Sequence, residues 1–346
     1  MTRFFTSDNA SGVCPEVMNA LIEANAGHMG AYGNDALTRE AINMVEQALG
    51  RPADVFFVYN GTAANTLACK ATLRSIDSII CPDTAHIVTN EVGAPVNATG
   101  SRMITVESSH GKISPEQIRK ACQNESWWGM HATRPRLVSI SQSTEWGTVY
   151  SLDELAAIKA VCIELGMLLH VDGCRIYNAA VALDCPLAEM CEHIDILSLG
   201  GTKNGLMFGE ALVFFNAEAA DGFLHMRKQG LQLHSKMRFI SAQFKALFTD
   251  ELWKKNAAQA NRMMSLLAEG LRECPDIELV CPVQTNQAFF SIPTALAVQL
   301  QTIKDFYQNG PQPGVYRMVT SFDTTEEDVE SFVQEAKALN KQWRMA

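Results

Sequence analysis

Ile194-Asp-Ile-Leu-Ser-Leu-Gly-Gly-Thr-Lys-Asn-Gly205 is a short apolar run that empties into a glycine-rich turn carrying one lysine. The run reads as a strand covered on both faces, the habit of strands in parallel sheets. Lysine is almost always solvent-exposed. A lysine placed just beyond such a strand is therefore an ordinary surface residue unless its neighbours supply something for a cation to do.

Similar runs recur through the chain at Val55–Tyr59, Ser78–Cys81, Met103–Val106, Leu137–Ile140, Met167–Val171 and Ala211–Phe215. Between them lie helix-like segments, among them Gly61–Leu73, Ser114–Cys122 and Ser151–Leu165, the last opening on the capping box Ser151-Leu-Asp-Glu154. Strands alternating with helices predict an α/β domain whose mostly parallel sheet is covered on both sides. Beyond residue 216 the pattern turns helical at Ala217–Arg227, Arg238–Phe248 and Leu252–Glu273. Weaker strands follow at Ile277–Val280, Ala288–Ile292 and Val315–Thr320, with a last helix at Thr325–Trp343. Asn124–His131 and Tyr307–Gly314 read as turn-rich loops. The expected organisation is an N-terminal arm (1–15), a large α/β domain (16–247) and a smaller C-terminal α+β domain (248–346).

The 346 residues suit about two domains. With 47% hydrophobic and 19% charged residues the chain has the balance of a folded globular protein. A net charge of −10 argues against nucleic-acid or anionic-membrane partners. No apolar run is long enough to span a bilayer and the first residues lack the core of a signal peptide, so a cytoplasmic protein is expected. The 10 cysteines are scattered, with no C-x-x-C pair, which predicts neither disulfides nor a structural metal.

In open α/β sheets ligands sit beyond the carboxyl ends of the strands. Asn60-Gly-Thr-Ala-Ala-Asn65 follows one strand and starts a helix, whose free N–H groups at Gly61 and Thr62 suit a phosphate. The alternative is a plain turn and cap. Asp172 ends another strand; it is costly to bury without a cation, or else it caps the next helix. Arg175 could grip a carboxylate or phosphate by its fork, or lie on an exposed face. His86 follows a third strand and taken alone is as well explained as structural. Together with Lys203 these residues meet the needs of pyridoxal 5′-phosphate (PLP): a lysine for the aldehyde, an acid for the pyridine nitrogen and a helix terminus for the phosphate.

The segments Ser7-Asp-Asn9, Tyr32-Gly-Asn-Asp35, Asn60–Asn65, His86, Leu169-His-Val-Asp-Gly-Cys-Arg175, Gly201-Thr-Lys-Asn-Gly205 and Arg317-Met-Val-Thr-Ser321, taken in this order, resemble the low-specificity threonine aldolases. These are PLP enzymes of fold type I within the aromatic amino acid beta-eliminating lyase group. The resemblance implies a large PLP-binding α/β domain, a Schiff base at Lys203, Asp172 on the pyridine nitrogen, His86 stacked on the ring and Gly61 and Thr62 on the phosphate. Thr202 and Lys228 are implied helpers in cofactor binding, with Ser7, Arg175 and Arg317 on the substrate carboxylate and no metal. It also implies a homo-oligomer, a dimer of dimers, in which Tyr32–Asp35 and the basic run Arg227–Arg238 serve a neighbouring subunit. The implied reaction is retro-aldol cleavage of threonine or allo-threonine to glycine and an aldehyde. Rival readings are another PLP lyase on the same scaffold, acting on phenylserine or by β-elimination, and a non-catalytic phosphate- or nucleotide-binding module.

One departure stands out. Where many relatives carry a histidine in Glu-Asn-Thr-His-Asn-Gly, this chain has Gln142-Ser-Thr-Glu-Trp-Gly147, which puts Glu145 in that place. His86, Glu145 or a water are then the candidate bases.

Overall fold

The computed structural model describes residues 3–309 and 313–345. One sheet contains β1 Asp54–Val58, β2 Asp77–Pro82, β3 Arg102–Val106, β4 Arg134–Ser141, β5 Leu168–Gly173, β6 Ile196–Leu199 and β7 Glu210–Phe214, in spatial order β1-β7-β6-β5-β4-β2-β3. Pairings from β3 through β2, β4 and β5 to β6 are parallel, while β7 runs antiparallel to both β6 and β1. Two reversals cancel, so β1 points the same way as β6. Every strand but β7 therefore delivers its carboxyl end to one edge, and β7 begins there.

The expectation of doubly covered strands is met: every residue of β6 and β7 is buried. Leu197, Leu199 and Val213 pack on one face with the helices Ala36–Leu49 and Arg238–Phe248. Ile196, Leu212 and Phe214 pack on the other with the helices Gly61–Thr72 and Phe223–Gln229. Each such side chain contributes roughly 1.5–3 kcal/mol through burial, so this layer fixes where the strand ends lie.

A second sheet, in order β10-β11-β9-β8, is built from β8 Glu278–Leu279, β9 Gln287–Ser291, β10 Tyr307–Gln308 and β11 Val315–Val319, all antiparallel. It packs on the helices Leu252–Leu271 and Glu326–Trp343 around Met264, Phe290, Met318 and Phe332. The N-terminal arm adds to this sheet, with the Val319 N–H donating to the Phe5 carbonyl and the Phe5 N–H to Asp305.

The capping box expected at Ser151 forms, with the Glu154 N–H on Ser151 Oγ at 3.1 Å and the Ser151 N–H on Glu154 Oε2 at 2.7 Å. Other expectations need correction. The helix expected over 217–227 starts only at Phe223, because Gly222 takes a left-handed φ of 68° that begins a new helix there. The loop expected at 124–131 is largely helix, since Pro115–Trp127 holds no breaker before Gly129. Tyr307 and Gln308, expected in a loop, pair with β11, and Gly310, Pro311 and Gln312 of that segment lie outside the described residues. Residues 16–50, for which the pattern suggests no element, form the helices Pro15–Ala24 and Ala36–Leu49, the second capped by Asp35.

Candidate active site

The glycine-rich turn after β6 exists to bring Lys203 inward. A Cβ on Gly201 would stand 2.5 Å from the Gly209 carbonyl oxygen, and one on Gly200 would stand 2.6 Å from that of Cys174. Only glycine lets the turn nest between the ends of β5 and β7. Lys203 follows on the single turn Thr202–Asn204.

Across from it Asp172 ends β5 and is 7% exposed. Its Oδ1 accepts from the Cys174 N–H at 3.1 Å and its Oδ2 from Asn65 Nδ2 at 2.8 Å. Burial pushes its pKa up, but the charge of Lys203 and the Asn65 hydrogen bond outweigh it and hold the carboxyl below its usual range, with His86 and His170 close by. One of those histidines, His170, lies between Ser139 Oγ at 2.9 Å and Ser198 Oγ at 3.0 Å, and burial drops it to about 4, so it stays neutral. Asp172 is thus a fixed anion beside a lysine.

Next to this pair, the helix Gly61–Thr72 starts with Asn60 Oδ1 accepting from the Ala63 N–H at 2.9 Å. The N–H groups of Gly61 and Thr62 have no partner within the helix, and a Cβ on Gly61 would meet nothing within 4 Å. This is an open, positively polarised cradle of the kind that takes a phosphate. A buried carboxylate, a lysine and this cradle fit PLP.

His86 begins a short helix after β2, and its Nδ1 is 2.7 Å from Glu91 Oε1. Asn65 Nδ2 donates to that same oxygen at 2.8 Å while also serving Asp172. His86, Glu91 and Asp172 offer ligand-type atoms within 4.8 Å of one another, but the carboxylate oxygens concerned already accept from His86 and Asn65. Glu145 comes up from the loop after β4, where its Oε1 accepts from the His86 N–H at 2.9 Å and from Ser141 Oγ at 2.5 Å. Its Oε2 is buried without a partner, and burial, reinforced by the Asp172 charge, raises its pKa.

The carboxylate-binding residues look different from expectation. Instead of presenting a free fork, Arg175 spends Nε and Nη2 on Asp8 at 2.7 and 2.9 Å, and Asn286 Nδ2 also donates to Asp8 at 3.1 Å. A buried guanidinium needs an anion at all times, and Asp8 supplies it. Arg317 arrives on β11 and gives Nη2 to the Thr6 carbonyl at 3.2 Å; burial and the neighbouring Arg175 charge lower its pKa. Ser7 Oγ caps the turn by accepting from the Asn9 N–H at 3.1 Å. Thr202 lies beside Glu210, where its hydroxyl works to lower that acid's pKa against the effect of burial. Lys228 lies 4.8 Å above the Tyr32 ring, in a surface depression that it shares with Tyr59 and Gln232.

Sequence reasoning singled out neither Asp8, Asn65 and Glu91 as partners nor Glu210 at all. Glu210 accepts from the Gly201 N–H at 2.7 Å beneath the lysine turn, and burial raises its pKa to about 7. An acid opening the apolar run Glu210–Phe214 is the signal that could have flagged it.

A mostly parallel sheet with a lysine and a buried aspartate at its strand ends, beside a helix terminus open to phosphate, defines a PLP-dependent enzyme of fold type I. The comparisons narrow the class. The chain belongs to the beta-eliminating lyase family, whose model matches residues 5–295. It is 40% identical over 338 residues, 97% of each chain, to the low specificity L-threonine aldolase of Pseudomonas sp. (strain NCIMB 10558). It is 31% identical over 294 residues to that of Saccharomyces cerevisiae, covering 84% of this chain and 74% of the yeast one. Among solved structures, the threonine aldolase of Leishmania major superposes with a TM-score of 0.93 at 33% identity, covering 97% of this chain and 99% of its own.

Proposed function

We propose that this protein is a PLP-dependent aldehyde-lyase that cleaves L-threonine and L-allo-threonine to glycine and acetaldehyde. The observation that carries this reading is the Lys203–Asp172 pair at the strand ends, in a chain 40% identical over nearly its whole length to low specificity L-threonine aldolases.

Lys203 would hold the cofactor's aldehyde carbon, Asp172 its ring nitrogen, and the Gly61 and Thr62 N–H groups its phosphate. Bound PLP supplies a sink for the electron pair left on Cα when the Cα–Cβ bond breaks. Asp172, its carboxyl held below its usual pKa range, would pair with a protonated ring nitrogen. Arg317 supplies the main charge for the substrate carboxylate, and Arg175, braced by Asp8, has Nη1 left to offer.

The β-hydroxyl proton goes to His86. Its side chain is 39% exposed and its Nε2 makes no hydrogen bond among the described residues, whereas Glu145 has one oxygen saturated and the other buried. A base must reach its proton before its pKa matters. Trp146, next to Glu145 in the chain, packs 4.7 Å from Phe289.

The protein is further proposed to act as a cytoplasmic homotetramer, a dimer of dimers. An open groove of about 670 Å³, in which Ala20, Met29 and Leu252 alternate with charged side chains such as Glu23, Glu40 and Lys245, supports a subunit contact of mixed character. Among the described residues no helix is long and apolar enough to cross a membrane.

Lys203→Ala tests the core of the reading. The variant is expected to lose turnover of L-threonine while remaining folded. Glycine release within about tenfold of the parent's rate would remove Lys203 from the mechanism.

A further inference from the structure

Glu91 is buried, its side chain fully so, and nothing in the proposed reaction requires it. The chain nevertheless accepts strain to turn it inward. Val92, the next residue, takes φ 52° and is fully exposed, followed by Gly93 at φ 70°. A β-branched residue in the left-handed region is a genuine outlier. The resulting turn aims the Glu91 carboxylate at the back of His86.

There Glu91 Oε1 takes two donors, His86 Nδ1 at 2.7 Å and Asn65 Nδ2 at 2.8 Å. The Asn65 amide orientation follows from chemistry, because the flipped amide would set its oxygen against two carboxylates. The same nitrogen donates to Asp172 Oδ2 at 2.8 Å, so each of its hydrogens has its own acid. An acid on one imidazole nitrogen decides which nitrogen carries the proton. With the Nδ1 hydrogen on Glu91, the lone pair is left on Nε2 of a side chain that is 39% exposed.

We infer that Glu91 is a positioning residue that fixes the tautomer and ring plane of His86, with Asn65 locking this dyad to the aspartate that holds the cofactor. The inference rests on His86 as the acceptor of the β-hydroxyl proton. Glu91 acts through His86 and touches neither substrate nor cofactor. The backbone of His86 is held independently by Glu145, so losing Glu91 frees the ring without releasing the helix.

The test compares holoenzymes of the parent, Glu91→Ala, Glu91→Gln, His86→Asn and the double variant His86→Asn/Glu91→Ala. Glu91→Ala is expected to lower kcat for L-threonine about 10- to 100-fold, the usual cost of losing such a support, with KM changed by less than about threefold, as for a loss confined to the transition state. Glu91→Gln, whose amide oxygen still accepts from Nδ1, is expected to recover most of the loss. The double variant is expected to be no slower than His86→Asn alone, since both changes remove one function. Crystal structures of the two Glu91 variants give a readout separate from turnover: the imidazole turned in Glu91→Ala and unmoved in Glu91→Gln. An unmoved ring in Glu91→Ala, or multiplying effects in the double variant, overturns the inference. If His86→Asn alone leaves kcat unchanged, the proton-acceptor assignment fails instead, and the ring orientation still reports on Glu91.

Discussion

Asp8→Ala removes the anion that holds Arg175. The pair is bidentate at 2.7 and 2.9 Å, Asp8 is 1% exposed and Arg175 7% exposed, so water cannot take the missing place. Removing one partner of such a buried pair costs about 3–5 kcal/mol. At about 2–3 °C per kcal/mol for a chain of this size, Tm should fall by on the order of 10 °C. The loss has a pH signature. Burial works to raise the Asp8 pKa, but Arg175 and Lys203 hold it below the usual carboxylate value. A depressed pKa contributes stability above the unfolded-state value of about 3.9 and loses it as pH falls through the folded value. The gap between parent and variant should therefore be full at pH 7 and close in acid. Arg175→Met combined with Asp8→Ala should regain much of the loss, because no charge is then left buried. Thermal unfolding followed by circular dichroism at pH 7 and at steps below pH 4 reads all three proteins. A single variant within about 2 °C of the parent at pH 7 would refute the buried-pair reasoning.

Two other substitutions probe the floor of the site. Asp172→Asn keeps the size and the Cys174 contact but loses the charge, and turnover per folded molecule should drop by about 10²-fold or more; unchanged turnover with lower stability would reduce Asp172 to a cap. Burial holds the Glu210 pKa at about 7, above the ordinary glutamate value of about 4.3. A raised pKa gives stability that is present below the unfolded value and lost as pH rises through the folded one, here about 3 kcal/mol across that window. Glu210→Gln, which still accepts from Gly201, should be spared that loss, and urea midpoints at pH 5 and pH 8 check it; an equal pH dependence in both proteins would contradict the burial of this acid.

The sheet was legible because β6 and β7 are buried along their whole length and so show as largely apolar runs. Looking beyond the strand ends then singled out Lys203, Asp172 and Gly61 as candidates. What stayed hidden depends on distance along the chain. Asp8 and Arg175 are 167 positions apart, and no local pattern says that a carboxylate will occupy the fork before any substrate does. Glu91 and Asn65 are 26 positions apart and meet only because the helix Gly61–Thr72 crosses the sheet from β7 to β4 and packs on the short helix Ala94–Thr99. The helix ending at Trp127 was cut short in the sequence reading because its last turn is polar and aromatic, whereas Glu125 is anchored there by Arg102 at 3.1 Å.

The most direct measurement is product analysis of the PLP-loaded protein incubated with L-threonine and, separately, with L-allo-threonine. Glycine and acetaldehyde should appear in equal amounts from both, with the two rates giving the preference at Cβ. Ammonia and 2-oxobutanoate in their place, or no product from either amino acid, would contradict the aldol cleavage assigned to this site.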